Sequence, residues 1–156
     1  MSHLFRRATA ADVAAIVALL ADDPLGRTRE DPSSPLDPRY LEAFAAVDRD
    51  PNQLLAVVER DAAVIGCLQL SFIPGLSRLG AWRGQIESVR IAAAHRGGGL
   101  GRELFGWAIA RCRERGCEFV QLTSDRSRSD ALRFYESLGF RATHAGLKLA
   151  LAEPAG

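Results

Sequence analysis

Apolar residues recur with helical spacing in several stretches and with strand spacing between them. Val13, Ile16, Val17 and Leu20 share one face of a helix predicted over residues 10–21. Thr9 followed by Asp12 forms an acidic variant of the capping box at its start. Tyr40, Leu41, Phe44 and Val47 mark a second helix, with Asp37 as its cap and Pro38 in its first turn, stopping near Asp50-Pro51. The longest periodic run covers residues 100–115. There Leu100, Leu104, Ala108 and Cys112 fall at i, i+4 intervals beside Phe105 and Ile109, and Gly116 supplies a stop. A short helix is predicted over residues 130–138, ending at Gly139.

Shorter apolar runs predict strands over residues 4–7, 54–58, 64–72, 82–92 and 119–122. Arg60-Asp61-Ala62 turns the second strand into the third as a hairpin, and Pro74-Gly75 ends the third. A final antiparallel pair is expected from residues 140–143 and 147–151, turning at Ala145-Gly146. Between the first two helices, residues 22–38 carry Pro24, Pro32, Pro35 and Pro38 and cannot be one helix. A strand, helix, strand succession around residues 82–122 implies a parallel pair joined by a right-handed crossover. The element order is a mixed α/β domain.

Composition narrows the picture. The chain has 156 residues, of which 47% are hydrophobic and 25% charged, an ordinary balance for one globular domain. A formal net charge of +1 gives no support to bulk electrostatic binding of nucleic acid or of a membrane surface. Cys67, Cys112 and Cys117 include no CxxC pair, and His3, His95 and His144 are scattered without zinc-type spacing. Reduced thiols in a cytoplasmic protein without metal are expected. No leader-type or membrane-spanning apolar run is present.

The strongest chemical signal is His95-Arg96-Gly97-Gly98-Gly99-Leu100-Gly101-Arg102, between a predicted strand and the longest helix. Glycines let a ligand approach the backbone, and the first helical turn has N–H groups without partners at the positive end of the dipole. Together they favour a phosphate. A dinucleotide fingerprint fails, since its last glycine falls on Arg102 or Leu104. A Walker A loop fails because Trp107 stands where lysine is required.

What fits is [Arg/Gln]-x-x-Gly-x-[Gly/Ala], as Arg96-Gly97-Gly98-Gly99-Leu100-Gly101. With Ala131-Leu132-Arg133-Phe134-Tyr135-Glu136-Ser137-Leu138-Gly139-Phe140 following in order, the chain resembles the GNAT acetyltransferase superfamily. The resemblance implies a single domain over residues 1–152 with a short tail, 153–156. It implies a central, mostly antiparallel sheet of about seven strands, one parallel splayed pair and four flanking helices. It also implies acetyl-coenzyme A as cosubstrate, a small primary amine as acceptor, direct transfer in a ternary complex and a homodimer. A protein amino group as acceptor, or a non-catalytic acyl-coenzyme A module, are the rival readings.

Residue roles follow from the same resemblance. Arg96, Gly97, Gly98, Gly99, Leu100, Gly101 and Arg102 correspond to the pyrophosphate grip, Arg102 chiefly through its backbone. Val89, Arg90 and Ile91 correspond to the strand whose backbone meets the pantetheine arm and the thioester oxygen. Many members have asparagine where this chain has Arg128, which is open to contact with a coenzyme phosphate, with the acceptor or with solvent. The proline common before the glycine turn is absent. Tyr135, with a reference phenol pKa of about 10, is the candidate acid for the leaving thiolate, its rival role being a core aromatic beside Phe134. Glu87 is the candidate base. Strand alternation groups it with Gln85, Val89 and Ile91, and a salt bridge with Arg83 or Arg90 is the bland alternative. Glu30 and Asp31 are other carboxylates open to the same role. The acceptor site is expected around residues 25–31 and Gln69, Ser71, Phe72 and Pro74.

Overall fold

The computed structural model describes residues 2–152, so the expected tail at 153–156 lies outside the described residues. Two compact units divide the chain, one ending at Leu122 and one beginning at Thr123.

The first unit is one five-stranded sheet in the order β1 (Leu4–Arg7), β2 (Gln53–Arg60), β3 (Ala63–Ile73), β4 (Trp82–Ile91) and β5 (Cys117–Gln121). The pairs β1–β2, β2–β3 and β3–β4 are antiparallel, while β4 and β5 run parallel. Its helices are α1 (Val13–Ala21), α2 (Pro38–Arg49) and α3 (Leu100–Glu114). The predicted first helix begins as a tight 3-10 turn, Ala10–Asp12, before α1. Asp12 behaves as the sequence implied: its carboxylate accepts the Thr9 N–H at 2.7 Å. It also holds Arg6 in a two-pronged ion pair at 2.8 and 3.0 Å. Asp37 caps α2 by accepting the Arg39 N–H at 2.9 Å.

Each face of the sheet has its own cover. On one, α1 buries Ile16 and Leu19 against Ala8, Val57 and Cys67, and Phe44 of α2 packs on the same cluster with Leu55. On the other, α3 buries Leu104, Phe105, Ala108 and Cys112, each at most 1% exposed. The i, i+4 stripe read from sequence is thus the core face of α3. Between β3 and β4, Arg78 and Leu79 take left-handed backbone conformations, and Leu76 and Leu79 are fully exposed.

The second unit contains α4 (Ser129–Ser137). The expected final pair at 140–143 and 147–151 does not form, so the described residues contain five strands rather than about seven. Leu147, Leu149 and Leu151 keep a strand-like alternation, yet alternation supplies no hydrogen-bonding partner, and a lone hairpin is marginal in water. Thr143 N instead bonds back to the Arg141 carbonyl at 3.1 Å, a tight turn that breaks the first half of the pair. No helix among the described residues is long and apolar enough to cross a membrane.

Candidate active site

The site begins with a defect in β4. Ser88 has φ +56°, and the register with β3 slips there: Gln69 faces Glu87, but Cys67 faces Arg90. Two residues, Ser88 and Val89, occupy a span that Leu68 alone fills on β3. This is a β-bulge, which leaves part of the ladder unpaired and turns the following side chains over. The simple alternation of Gln85, Glu87, Val89 and Ile91 is therefore broken. Glu87 shares its face with Gln85 and Arg90, while Ile91 pairs with Gly66 in the opposite phase.

A second irregularity lies on the other edge of the same strand. β5 pairs with β4 only from Trp82 to Gln85. From Ile86 to Ile91, β4 therefore has no neighbour strand on that side among the described residues. An unpaired strand edge presents a row of backbone donors and acceptors. The bulge and this open edge coincide at Val89, Arg90 and Ile91.

The glycine turn follows directly. A short 3-10 turn, Ala93–His95, leads into Gly97 and Gly99, whose φ values of +83° and +84° lie in the left-handed region. Gly99 caps α3, and its carbonyl accepts the Glu103 N–H at 3.1 Å. An added Cβ at Gly97, Gly98 or Gly99 would meet nothing within 4 Å, so these glycines serve backbone conformation and outward approach rather than internal packing. The first-turn N–H groups of Leu100 and Gly101 have no carbonyl within the helix to bond. Arg102 is exposed on that turn, while Leu100 is buried and anchors it.

Arg96 is exposed and already engaged. Its Nε donates to the Ile91 carbonyl at 3.0 Å and its Nη2 reaches the Asp22 carbonyl at 3.5 Å. It ties the turn to the end of β4 and to the end of α1. His95 packs in a polar chain: Arg60 lies 3.3 Å from its Nδ1 and 2.9 Å from His3 Nδ1, and His3 meets Glu103 at 2.6 Å.

Glu87 is exposed rather than half-buried, and it makes no ion pair with Arg83 or Arg90 among the described residues. Arg90 instead meets Asp23, from the α1–α2 connection, at 2.9 Å, with side chains only 15% and 12% exposed. This is an ion contact without aligned hydrogen-bond geometry at Nε. The other oxygen of Asp23 accepts the Gly26 N–H at 2.5 Å, and Arg90 Nη1 donates to its neighbour's carbonyl at Val89, 2.9 Å away. No local pattern marks this link, because it joins residues 67 positions apart through tertiary packing.

On the Glu87 face, polar side chains line up across four strands. Gln53 pairs in register with Ser71, Ser71 with Gln85, and Gln85 with Gln121; Gln69 pairs with Glu87. Gln53 Oε1 accepts from Gln69 Nε2 and Ser71 Oγ, each at 3.0 Å, and Gln85 Oε1 accepts from Gln121 Nε2 at 3.0 Å. Gln69 and Ser71 were expected at the acceptor site. Phe72 was expected with them, but it lies on the opposite face, 4% exposed, with the Arg115 guanidinium 4.2 Å from its ring centre. Successive strand residues cannot share a face.

The thiols are poor nucleophiles. Burial pushes Cys67 and Cys112 up to about 12 and also raises Cys117. They stay protonated at neutral pH.

In the second unit, Tyr135 is half-buried on α4. Its ring centre lies 5.8 Å from that of Phe134 and 6.3 Å from that of Phe140, and its carbonyl accepts the Phe140 N–H at 3.1 Å. Arg128 occupies the position before α4, its N–H bonded to the Asp125 carbonyl at 2.9 Å. Arg128, Ser129, Leu132 and Thr143 border a cleft of ≈ 500 Å³ within this unit.

The sequence pattern of the acetyltransferase (GNAT) family matches residues 14–140. The chain belongs to that family. It is an enzyme of the acetyl-coenzyme A-dependent acetyltransferase class, as the motif at 96–101 implied. The aminoalkylphosphonate N-acetyltransferase of Salmonella typhimurium is 30% identical over 105 residues, 67% of this chain and 68% of that protein. The glucosamine 6-phosphate N-acetyltransferase of Trypanosoma brucei is 36% identical over 88 residues, 56% of this chain and 58% of that protein. Among solved structures, a protein of Bacillus halodurans described as a transcriptional regulator is 47% identical. It superimposes with a TM-score of 0.94 over 96% of this chain and all of that one.

Proposed function

We propose that this GNAT protein, as one domain over residues 1–152, transfers the acetyl group of acetyl-coenzyme A to a primary amine of a small molecule. The observation that carries the reading is the coincidence of the bulge at Ser88 with the unpaired edge of β4, immediately before the glycine turn. A coenzyme has an extended, amide-bearing pantetheine arm that suits a strand edge. Its pyrophosphate suits the N–H groups at a helix start.

In this reading Gly97 to Gly101, with Leu100 holding the turn, cradle the pyrophosphate by backbone N–H groups. Arg96 shapes the loop and adds positive charge beside it, and Arg102 adds charge on the first helical turn. Arg128 contributes to phosphate or acceptor binding from its own unit. Val89, Arg90 and Ile91 align the pantetheine arm, and a bulge N–H faces the thioester oxygen as charge develops there. Glu87 takes the amine proton through a water, its exposure leaving room for one. Tyr135 protonates the departing thiolate. Transfer is direct, since protonated Cys67 and Cys112 do not attack a thioester at neutral pH. No metal is required, the protein acts in the cytoplasm, and neither nucleic acid nor membrane is a partner.

Calorimetry with acetyl-coenzyme A and a thiol-release assay over an amine panel test this. Binding with turnover of a small amine is the expected result, and no binding at millimolar coenzyme removes the reading. Binding without turnover of any amine or of an N-terminal peptide supports a non-catalytic regulatory role, which the description of the Bacillus halodurans relative favours. The chain is also proposed to form a homodimer. The exposed alternating Leu147, Leu149 and Leu151 support that, and sedimentation at micromolar concentration reads it.

A further inference from the structure

Resting on the acetyltransferase reading, we infer that the side chain of Arg90 is a positioning group for the coenzyme. Its guanidinium covers the open edge of β4 at the Val89 carbonyl and yields that carbonyl to an amide N–H of the pantetheine arm. Asp23 holds the guanidinium at the edge.

After the bulge, Cys67 faces Arg90 and Gly66 faces Ile91. The Ala92 N–H reaches the Ile65 carbonyl on β3 at 2.8 Å. Hydrogen-bonded pairs in an antiparallel ladder recur at every second residue, so the Arg90 N–H also points to β3. The peptide bonds on either side of Arg90 and Ile91 are trans. In a trans peptide the carbonyl opposes the following N–H. The Val89 and Ile91 carbonyls therefore point the other way, to the side where β4 has no neighbour strand among the described residues.

Both of these carbonyls accept from a guanidinium. Arg90 Nη1 donates to Val89 at 2.9 Å, and Arg96 Nε donates to Ile91 at 3.0 Å. Both arginines also reach the end of α1. Arg90 meets the Asp23 carboxylate at 2.9 Å, and Arg96 Nη2 reaches the Asp22 carbonyl at 3.5 Å. Two arginine clips thus run from the end of α1 to the edge of β4. Charged side chains protect a strand edge against pairing with other backbones. Here the covered acceptors are the ones that an extended, amide-bearing arm uses.

The two clips differ. Arg96 is exposed beside the glycine turn, where its charge serves the pyrophosphate. Arg90 is only 15% exposed and Asp23 12%. A guanidinium presents its donors in a rigid fork. In Arg90 that fork is divided: Nη1 is well placed on the Val89 carbonyl, while Nε is buried without an aligned partner although Asp23 Oδ2 lies 2.9 Å away. A pantetheine N–H on Val89 frees the guanidinium to turn onto the carboxylate and align Nε. Asp23 stays in place during that turn. Its Oδ1 accepts the Gly26 N–H at 2.5 Å, and Gly26 lies so close to α1 that an added Cβ would stand 1.8 Å from the Leu20 carbonyl oxygen.

Arg90→Lys separates the two contacts. An ammonium is a point charge without the fork, so pairing it with Asp23 uncovers the Val89 carbonyl. Calorimetry with acetyl-coenzyme A and with 3′-phospho-ADP, which lacks the pantetheine arm, reads the difference. The variant is expected to bind acetyl-coenzyme A about fivefold tighter, the net worth of one hydrogen bond that no longer has to be given up. Affinity for 3′-phospho-ADP should stay within about twofold, because the charge is kept. If the lysine variant does not fold by thermal melting, Arg90→Met combined with Asp23→Leu removes both charges of the pair together and should show the same gain. Unchanged or weaker binding of acetyl-coenzyme A by the folded variant overturns the inference. An equal change with both ligands overturns it as well, since Arg90 then acts through charge rather than at the pantetheine arm. If the wild-type protein binds neither ligand, the acetyltransferase reading itself falls and takes the inference with it.

Discussion

The two ends of β4 make a site in different materials. From Ile86 to Ile91 and on through the glycine turn, the functional groups are backbone: a bulge, an unpaired edge and the first N–H groups of α3. From Trp82 to Glu87, they are side chains set in register with Gln53, Ser71, Gln69 and Gln121. A coenzyme common to a family needs only a constant backbone shape. An acceptor that differs between members needs side chains that can be exchanged without disturbing the sheet. Arg90 belongs to the first half by its backbone, and its guanidinium, through Asp23, holds the α1–α2 connection.

The sharpest way to break this comparison is to change side-chain chemistry while leaving backbone binding alone. Tyr135→Phe should cut kcat about a hundredfold, the range expected for a general acid, with acetyl-coenzyme A affinity by calorimetry nearly unchanged. An unchanged rate removes Tyr135 as the acid. Next is the link between the halves. Asp23→Asn leaves Arg90 buried without its countercharge and should cost about 3 kcal/mol of stability in denaturant melts. If instead the loss is under about 0.5 kcal/mol, the pair is not a structural tie.

The converse experiment strains the backbone half. Gly99→Val forces a β-branched residue to φ +84° and should cost about 2 kcal/mol, seen as roughly thirtyfold weaker coenzyme binding. Acceptor selectivity should not change. The smallest effect is expected far from both halves. The Arg6 guanidinium beside Asp12 holds its carboxyl down to about 2, below the ordinary 3.8. A depressed folded pKa contributes stability above the unfolded pKa, and that stability is lost as pH falls from about 4 towards about 2. After solvent screening it amounts to about 1 kcal/mol, readable as a lower Tm over that window and absent in Asp12→Asn.

The legibility of the chain follows the same division. A backbone-built grip requires glycine at the two positive-φ positions, so Gly97 and Gly99 announce it locally. The i, i+4 stripe from Leu100 to Cys112 did the same for the core face of α3. Glu87, a lone carboxylate in an apolar strand, stands out by type, but its environment is not legible there, because the bulge at Ser88 leaves no mark in a period-two pattern. A single residue with positive φ changes which neighbours share a face, and only the ladder with β3 shows it. Leu147 to Leu151 taught the opposite lesson: the alternation was real, but a strand exists only where a partner backbone completes it.

By itself, then, the sequence determined what depends on near neighbours: caps at Asp12 and Asp37, helix stripes, the glycine turn and the family. Tertiary structure decided what depends on distant ones. Gln53, Gln69, Ser71, Gln85 and Gln121 are scattered over 69 positions, and only the sheet's hydrogen bonds draw them into one row. Arg90 and Asp23 likewise meet only because α1 packs across β3 and β4.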